Sequence, residues 1–98
     1  MEKDLRYATL FDIYQGLLTD KQREVFTSYY LLDLSLSEIA DNDGASRQSA
    51  YDTVKKVKQK LDEFEDKLQI LSKRQAILDI ISDKNDQTFD KIKGILLE

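Results

Sequence analysis

Residues Ser35 to Leu61 read SLSEIADNDGASRQSAYDTVKKVKQKL, and a helix start stands on either side of one glycine. Ser35-Leu-Ser-Glu38 has the form of a capping box, in which the serine hydroxyl and the glutamate side chain satisfy each other's orphan backbone N–H groups. Asn42-Asp43-Gly44 ends that short helix, because glycine accepts the left-handed conformation common just past a helix terminus. Ser46 then caps a second start. A short helix, a sharp turn and a longer helix predict a helix-turn-helix.

The second helix has no breaker until at least Ser72, so the spacing predicts one long helix over about 46–72. Its apolar positions Ala50, Val54, Val57, Leu61, Phe64, Leu68 and Leu71 advance in alternating steps of four and three. That is a heptad seam. It serves either as core against the preceding helices or as the interface of a homodimer, and the two uses are compatible along different halves. At about 100° per residue, the face opposite the seam carries Gln48, Asp52, Lys55, Lys56 and Gln59, with Ser49 beside it. Arg47 and Lys58 lie toward one flank, Thr53 and Lys60 toward the other.

Upstream, the stretch from Asp4 to Leu18 holds apolar residues on more than one helical face, which predicts a helix packed against several others. Thr19-Asp-Lys-Gln22 is another capping box, opening a helix to about Leu32 with Val25, Phe26, Tyr29 and Tyr30 turned inward. Downstream, Ala76, Ile77, Ile80 and Ile81 predict a short helix, SDKND a polar loop, and Phe89, Ile92 and Leu96 a last helix. The chain reads as one all-α domain over 1–98, with a helix-turn-helix core at about 19–61 and C-terminal helices at about 73–98 forming a hairpin.

The composition narrows the chemistry. The chain of 98 residues has neither Cys nor His, which removes thiolate ligands, the commonest metal ligand and the usual general base. The carboxylates show no pair in contrasting surroundings, and there is no glycine-rich phosphate loop. A non-enzymatic protein without cofactor or metal is expected. No apolar run approaches the roughly 20 residues of a membrane span, and the N-terminus lacks a signal-like apolar stretch, so a soluble, cytoplasmic protein without a membrane partner is expected.

Charge is distributed unevenly. The whole chain carries a formal −4, yet Ser46 to Lys60 holds Arg47, Lys55, Lys56, Lys58 and Lys60 against Asp52 alone. On a nucleic acid, Gln48 would pair with adenine, Lys55 and Lys56 would neutralise phosphates, and Arg47 would do either near the helix N-terminus. Ser49 adds a hydroxyl, and Asp52 suits only a cytosine amino group. The other reading of this face is a solvated or protein-binding surface, its lysines paired at i,i+4 with Asp62, Glu63, Glu65 and Asp66. Tyr51, on a flank, either stacks on a base or shields the seam.

Leu17 to Leu61, LLTDKQREVFTSYYLLDLSLSEIADNDGASRQSAYDTVKKVKQKL, resembles region 4 of bacterial sigma factors, a helix-turn-helix that reads promoter elements. LLTDKQ, YY, SLSEIA and SRQSAYDTVKK, within about Leu10 to Leu71, are more closely similar to the YlxM family of small bacterial proteins. The resemblance implies a sigma region 4-like domain with an extended recognition helix. It also implies an accessory or regulatory role in the signal recognition particle pathway, with that particle's GTPase, its RNA, or both as partners. Duplex DNA is the alternative ligand, for a transcriptional regulator; a dimeric helical adaptor without nucleic acid is the other. Sigma-like turns place an apolar residue before the glycine and a valine after it, where this chain has Asp43 and Ala45. A free-standing sigma factor is not expected, since the chain has no room for a core-binding domain.

Overall fold

A computed structural model describes residues 3–82 and 87–97. Among them are six α-helices and no strand: α1 (Leu5–Tyr14), α2 (Asp20–Phe26), α3 (Leu36–Asp43), α4 (Arg47–Leu68), α5 (Ile70–Ile81) and α6 (Gln87–Leu96). The all-α helix-turn-helix architecture expected from the sequence is therefore present.

Local chemistry sets most of the boundaries. Asp4 caps α1 by accepting from the Arg6 N–H, and both predicted capping boxes close, Thr19 with Gln22 and Ser35 with Glu38. Helix α1 runs into a single 3-10 turn, Gln15–Leu17, and α2 into a π-helical segment, Thr27–Leu31. The wider segment carries Tyr29 into the core and lays Tyr30 on Phe26, ring centroids 4.4 Å apart and nearly parallel. Gly44, at φ 64°, closes α3 in a Schellman motif: its N–H reaches the Asp41 carbonyl and the Ala45 N–H reaches that of Ala40.

Helix α4 is the spine on which α1, α2 and α3 all pack. Ala50, Val54, Val57 and Leu61 are buried against Leu10, Phe11 and Tyr14 of α1, Val25 and Phe26 of α2, and Leu36, Ile39 and Ala40 of α3. The first half of the heptad seam is thus intramolecular core, and it is closed to a second copy of the chain. Farther along, Phe64 and Leu71 are partly buried against the same core, whereas Leu68 is exposed.

The single helix expected over about 46–72 is instead two. Helix α4 stops at Leu68, Gln69 turns left-handed at φ 54°, and α5 starts at Ile70. The cause is a buried carboxylate. Glu65 accepts hydrogen bonds from the backbone N–H of Leu71 (3.0 Å) and of Ser72 (3.0 Å), while the Tyr14 hydroxyl accepts from that of Ile70 (3.2 Å). Three first-turn donors of α5, which a continuous helix would spend on its own carbonyls, are satisfied from α4 and α1.

Helix α5 contacts α1 and α4, and α6 packs on α5, as the predicted hairpin requires. Neither contains a buried residue. The described chain is accordingly elongated, 52 × 25 × 23 Å, with a radius of gyration of 16.4 Å, against about 13 Å for a compact domain of this length. Beyond Ser82, the predicted SDKND loop lies outside the described residues.

Candidate nucleic-acid interface

The N-terminal half of α4 owes its presentation to caps and to the turn. Ser46 accepts from the Ser49 N–H at 3.0 Å, fixing where the helix starts. The turn before it is tied down by an ion pair: Lys21 of α2 meets Asp43 at 2.8 Å, and the Asp43 side chain is mostly buried. Asp43 stands where sigma-like turns have an apolar residue, and Lys21 accounts for it. The contact links α2 to the end of α3 by charge rather than by packing. It holds the Lys21 ammonium above its ordinary pKa, chiefly through the hydrogen bond to Asp43.

All six candidate residues, Arg47, Gln48, Ser49, Asp52, Lys55 and Lys56, are exposed along the outer side of α4. Gln48 and Asp52 are not independent. The Gln48 amide NH2 donates to the Asp52 carboxylate at 2.9 Å. Asp52 therefore orients the glutamine and leaves its carbonyl oxygen as the available acceptor. The Ser49 carbonyl accepts from the Thr53 hydroxyl at 3.1 Å, so the serine contributes structure as well as surface.

The five cations of this stretch divide into two groups. Lys58 lies over the rings of Tyr7 and Tyr30, at 5.4 and 5.5 Å, and Lys60 donates to the Gln22 side chain at 3.4 Å. Both stems run along the body of the domain. Arg47, Lys55 and Lys56 face outward, and none makes an ion pair or a side-chain hydrogen bond among the described residues. An exposed cation without an internal partner has no ion pair to break when phosphate approaches it.

The acidic run after Lys60 is also partly engaged within the domain. Asp62 takes Arg6 at 2.9 Å and the Tyr7 hydroxyl at 2.7 Å, both from α1. The Tyr7 phenol is pushed up to about 12, first by that hydrogen bond and then by burial. Glu65 accepts from Tyr14 at 2.6 Å. Burial alone would raise its pKa, but the bonds from Tyr14, Leu71 and Ser72 outweigh that and hold it below the ordinary value. Two of the four carboxylates expected to mask the lysines are thus engaged by α1 and α5.

Beside the candidate face, a groove of about 550 Å³ is lined by Tyr29, Ser35, Leu36, Arg47, Gln48 and Tyr51. It lies between the N-terminal ends of α3 and α4. Spacing along α4 finds Arg47, Gln48 and Tyr51; Tyr29, Ser35 and Leu36 come from other elements, and only tertiary packing brings them alongside. Among the described residues no cluster of acidic side chains could hold a metal ion, and no helix is long and apolar enough to cross a membrane.

Comparison with known proteins agrees with the helix-turn-helix fold. The family profile described as "Putative helix-turn-helix protein, YlxM / p13 like" (UPF0122) matches residues 1–96. A UPF0122 protein of Clostridium kluyveri is 42% identical over 108 residues, spanning 99% of this chain and 97% of its own. One from Bacillus thuringiensis is 52% identical over 75 residues, spanning 76% of this chain and 68% of its own. Another, from Halalkalibacterium halodurans, is 49% identical over 73 residues, 74% and 67% of the respective chains.

Proposed function

The chain belongs to the UPF0122 family of YlxM/p13-like helix-turn-helix proteins, and from that premise we propose a non-enzymatic accessory protein that binds nucleic acid through the outer face of α4. The observation that carries this reading is the outward placement of Arg47, Lys55 and Lys56 with no ion pair among the described residues. Lys55 and Lys56 on the face opposite the seam suit the phosphates of one groove wall, Arg47 reaches in from the flank at the helix N-terminus, and the capped, Gly44-turned α3 holds α4 at a fixed angle. The finer assignment, regulation within the signal recognition particle pathway, rests on the YlxM resemblance. In that role the particle's RNA would lie along α4, with the particle's GTPase as the protein partner.

One titration series tests the proposal: duplex DNA, the particle RNA and its purified GTPase, each at two salt concentrations. Nucleic-acid affinity should fall with salt, with a log–log slope of about −0.9 per phosphate contact on duplex DNA. Lys55→Glu should weaken binding to every sequence. No association with either nucleic acid at low salt would overturn the reading of the α4 face. Binding to DNA alone would favour a transcriptional regulator, to which the Gln48–Asp52 pair is suited by its position on the exposed face.

A further inference from the structure

The groove beside α4 has a chemistry that paired nucleic acid does not use. We infer that it receives an unpaired guanine base from a nucleic acid whose phosphates lie on Lys55 and Lys56; the inference rests on the α4 reading above and extends it.

The walls are aromatic and polar in the arrangement a base requires. Tyr51 lines the groove from the flank of α4 and is 37% exposed, the one aromatic ring there with surface available for stacking. Tyr29, 6% exposed, closes the floor of the groove rather than offering a ring face: Lys3 lies 4.5 Å over its ring, and Tyr30 meets it edge-on at 5.6 Å. Leu36 adds apolar surface, and Ser35 a hydroxyl at the start of α3.

Two polar groups give the groove a direction. Arg47 brings a fork of N–H donors with no partner among the described residues. Gln48 brings an acceptor, because Asp52 holds its NH2 group at 2.9 Å. Guanine matches both, offering O6 and N7 to a guanidinium and N–H groups to a carbonyl oxygen. Unpaired cytosine also offers adjacent acceptors, N3 and O2, but a smaller ring to stack on Tyr51, and uracil separates its two carbonyl oxygens by an N–H. In a perfect duplex the base is stacked and paired, so only a bulged, looped or single-stranded guanine can enter. Asp52, awkward for phosphate binding, acquires a role here as the group that positions Gln48.

The test is fluorescence anisotropy on the full chain with five ligands of one sequence: a perfect RNA duplex, the same duplex with one bulged guanosine, one with a bulged cytidine, and the perfect and guanosine-bulged duplexes in DNA. The guanosine bulge should bind at least about tenfold tighter than the perfect duplex, the scale of one stacked base. Tyr51→Ala should remove that preference while keeping perfect-duplex affinity within about twofold, and Tyr51→Phe should retain it. Equal gain in RNA and DNA assigns recognition to the base; gain in one alone identifies that backbone as the source. A guanosine bulge bound no tighter than the perfect duplex or the cytidine bulge would overturn the inference. So would a Tyr51→Ala protein that keeps the preference. Failure of the α4 reading is separate: no duplex binds at low salt, or Lys55→Glu leaves perfect-duplex affinity unchanged.

Discussion

Tyr14 of α1 donates a 2.6 Å hydrogen bond to Glu65 of α4, and the same hydroxyl accepts from the Ile70 N–H that opens α5. One buried contact between residues 51 positions apart thereby joins three helices. Both carboxylate oxygens are engaged, one by Tyr14 and the Leu71 N–H and the other by the Ser72 N–H.

Replacing Glu65 by Ala should therefore cost about 2–4 kcal/mol, since it strands a buried hydroxyl and two backbone N–H groups. Denaturant unfolding gives the magnitude. Amide hydrogen exchange should locate the damage at Leu71 and Ser72, while Val54 and Val57 stay as protected as the reduced stability allows. A loss under about 0.5 kcal/mol would mean that water replaces the carboxylate.

The same group sets a pH dependence. The folded pKa of Glu65 lies below its ordinary value of 4.5. Its stabilisation is therefore complete above that value and is lost as pH falls through the folded pKa. Chemical denaturation at stepped pH should show stability level from neutrality to about pH 5 and falling below it. Glu65→Gln should flatten that fall and be less stable than the parent at neutral pH.

Alkali should act through α1. Tyr7 ionises at about 12 in the folded protein against an ordinary 10, and Tyr14 is raised in the same direction by burial and by Glu65. A phenol raised on folding stabilises fully below its unfolded pKa and loses that contribution as pH rises toward the folded one. Tyrosinate absorbance should show a high-pH class of tyrosines, and Tyr7→Phe should remove part of it.

Leu61 distinguishes core from interface. It is fully buried in one copy of the chain, so Leu61→Ala should cost about 2–5 kcal/mol, and Leu61→Asp should prevent folding. Leu68, seven residues on and 46% exposed, should accept Asp within about 0.5 kcal/mol. Thermal melts of the three variants decide it; a well-folded Leu61→Asp protein would contradict the packing described.

Gly44 isolates backbone strain from packing. A Cβ built there meets nothing within 4 Å, yet φ is 64°. Gly44→Ala should thus cost only the left-handed penalty, about 1–2 kcal/mol, measured as a shift in denaturation midpoint at unchanged slope.

Much of the fold was legible in local sequence because local forces make it. Ser35, Glu38, Thr19, Gln22 and Gly44 act on backbone groups within a few residues of themselves, so their spacing alone announces each helix end. Val54, Val57 and Leu61 declare a buried stripe by their period, Gln48, Lys55 and Lys56 follow on the opposite face, and Arg47 on its flank. What lay out of reach depends on partners distant in the chain. Periodicity carries the seam straight past Gln69, because nothing near it says that Glu65 will be buried beside Tyr14 and spend its oxygens on the next helix. The one available signal was that Glu65, four residues after Leu61, puts a carboxylate on the buried side. In the same way, sequence could count the lysines after Ser46 but could not divide them. Tyr7, Tyr30 and Gln22, from α1 and the α2 region, draw Lys58 and Lys60 onto the domain and leave Lys55 and Lys56 to the solvent. Most helix ends, and the helix faces, were thus determined by the sequence itself through short-range hydrogen bonding and periodicity; the break between α4 and α5, and which charges are spent inside and which remain for a ligand, were decided by tertiary contact.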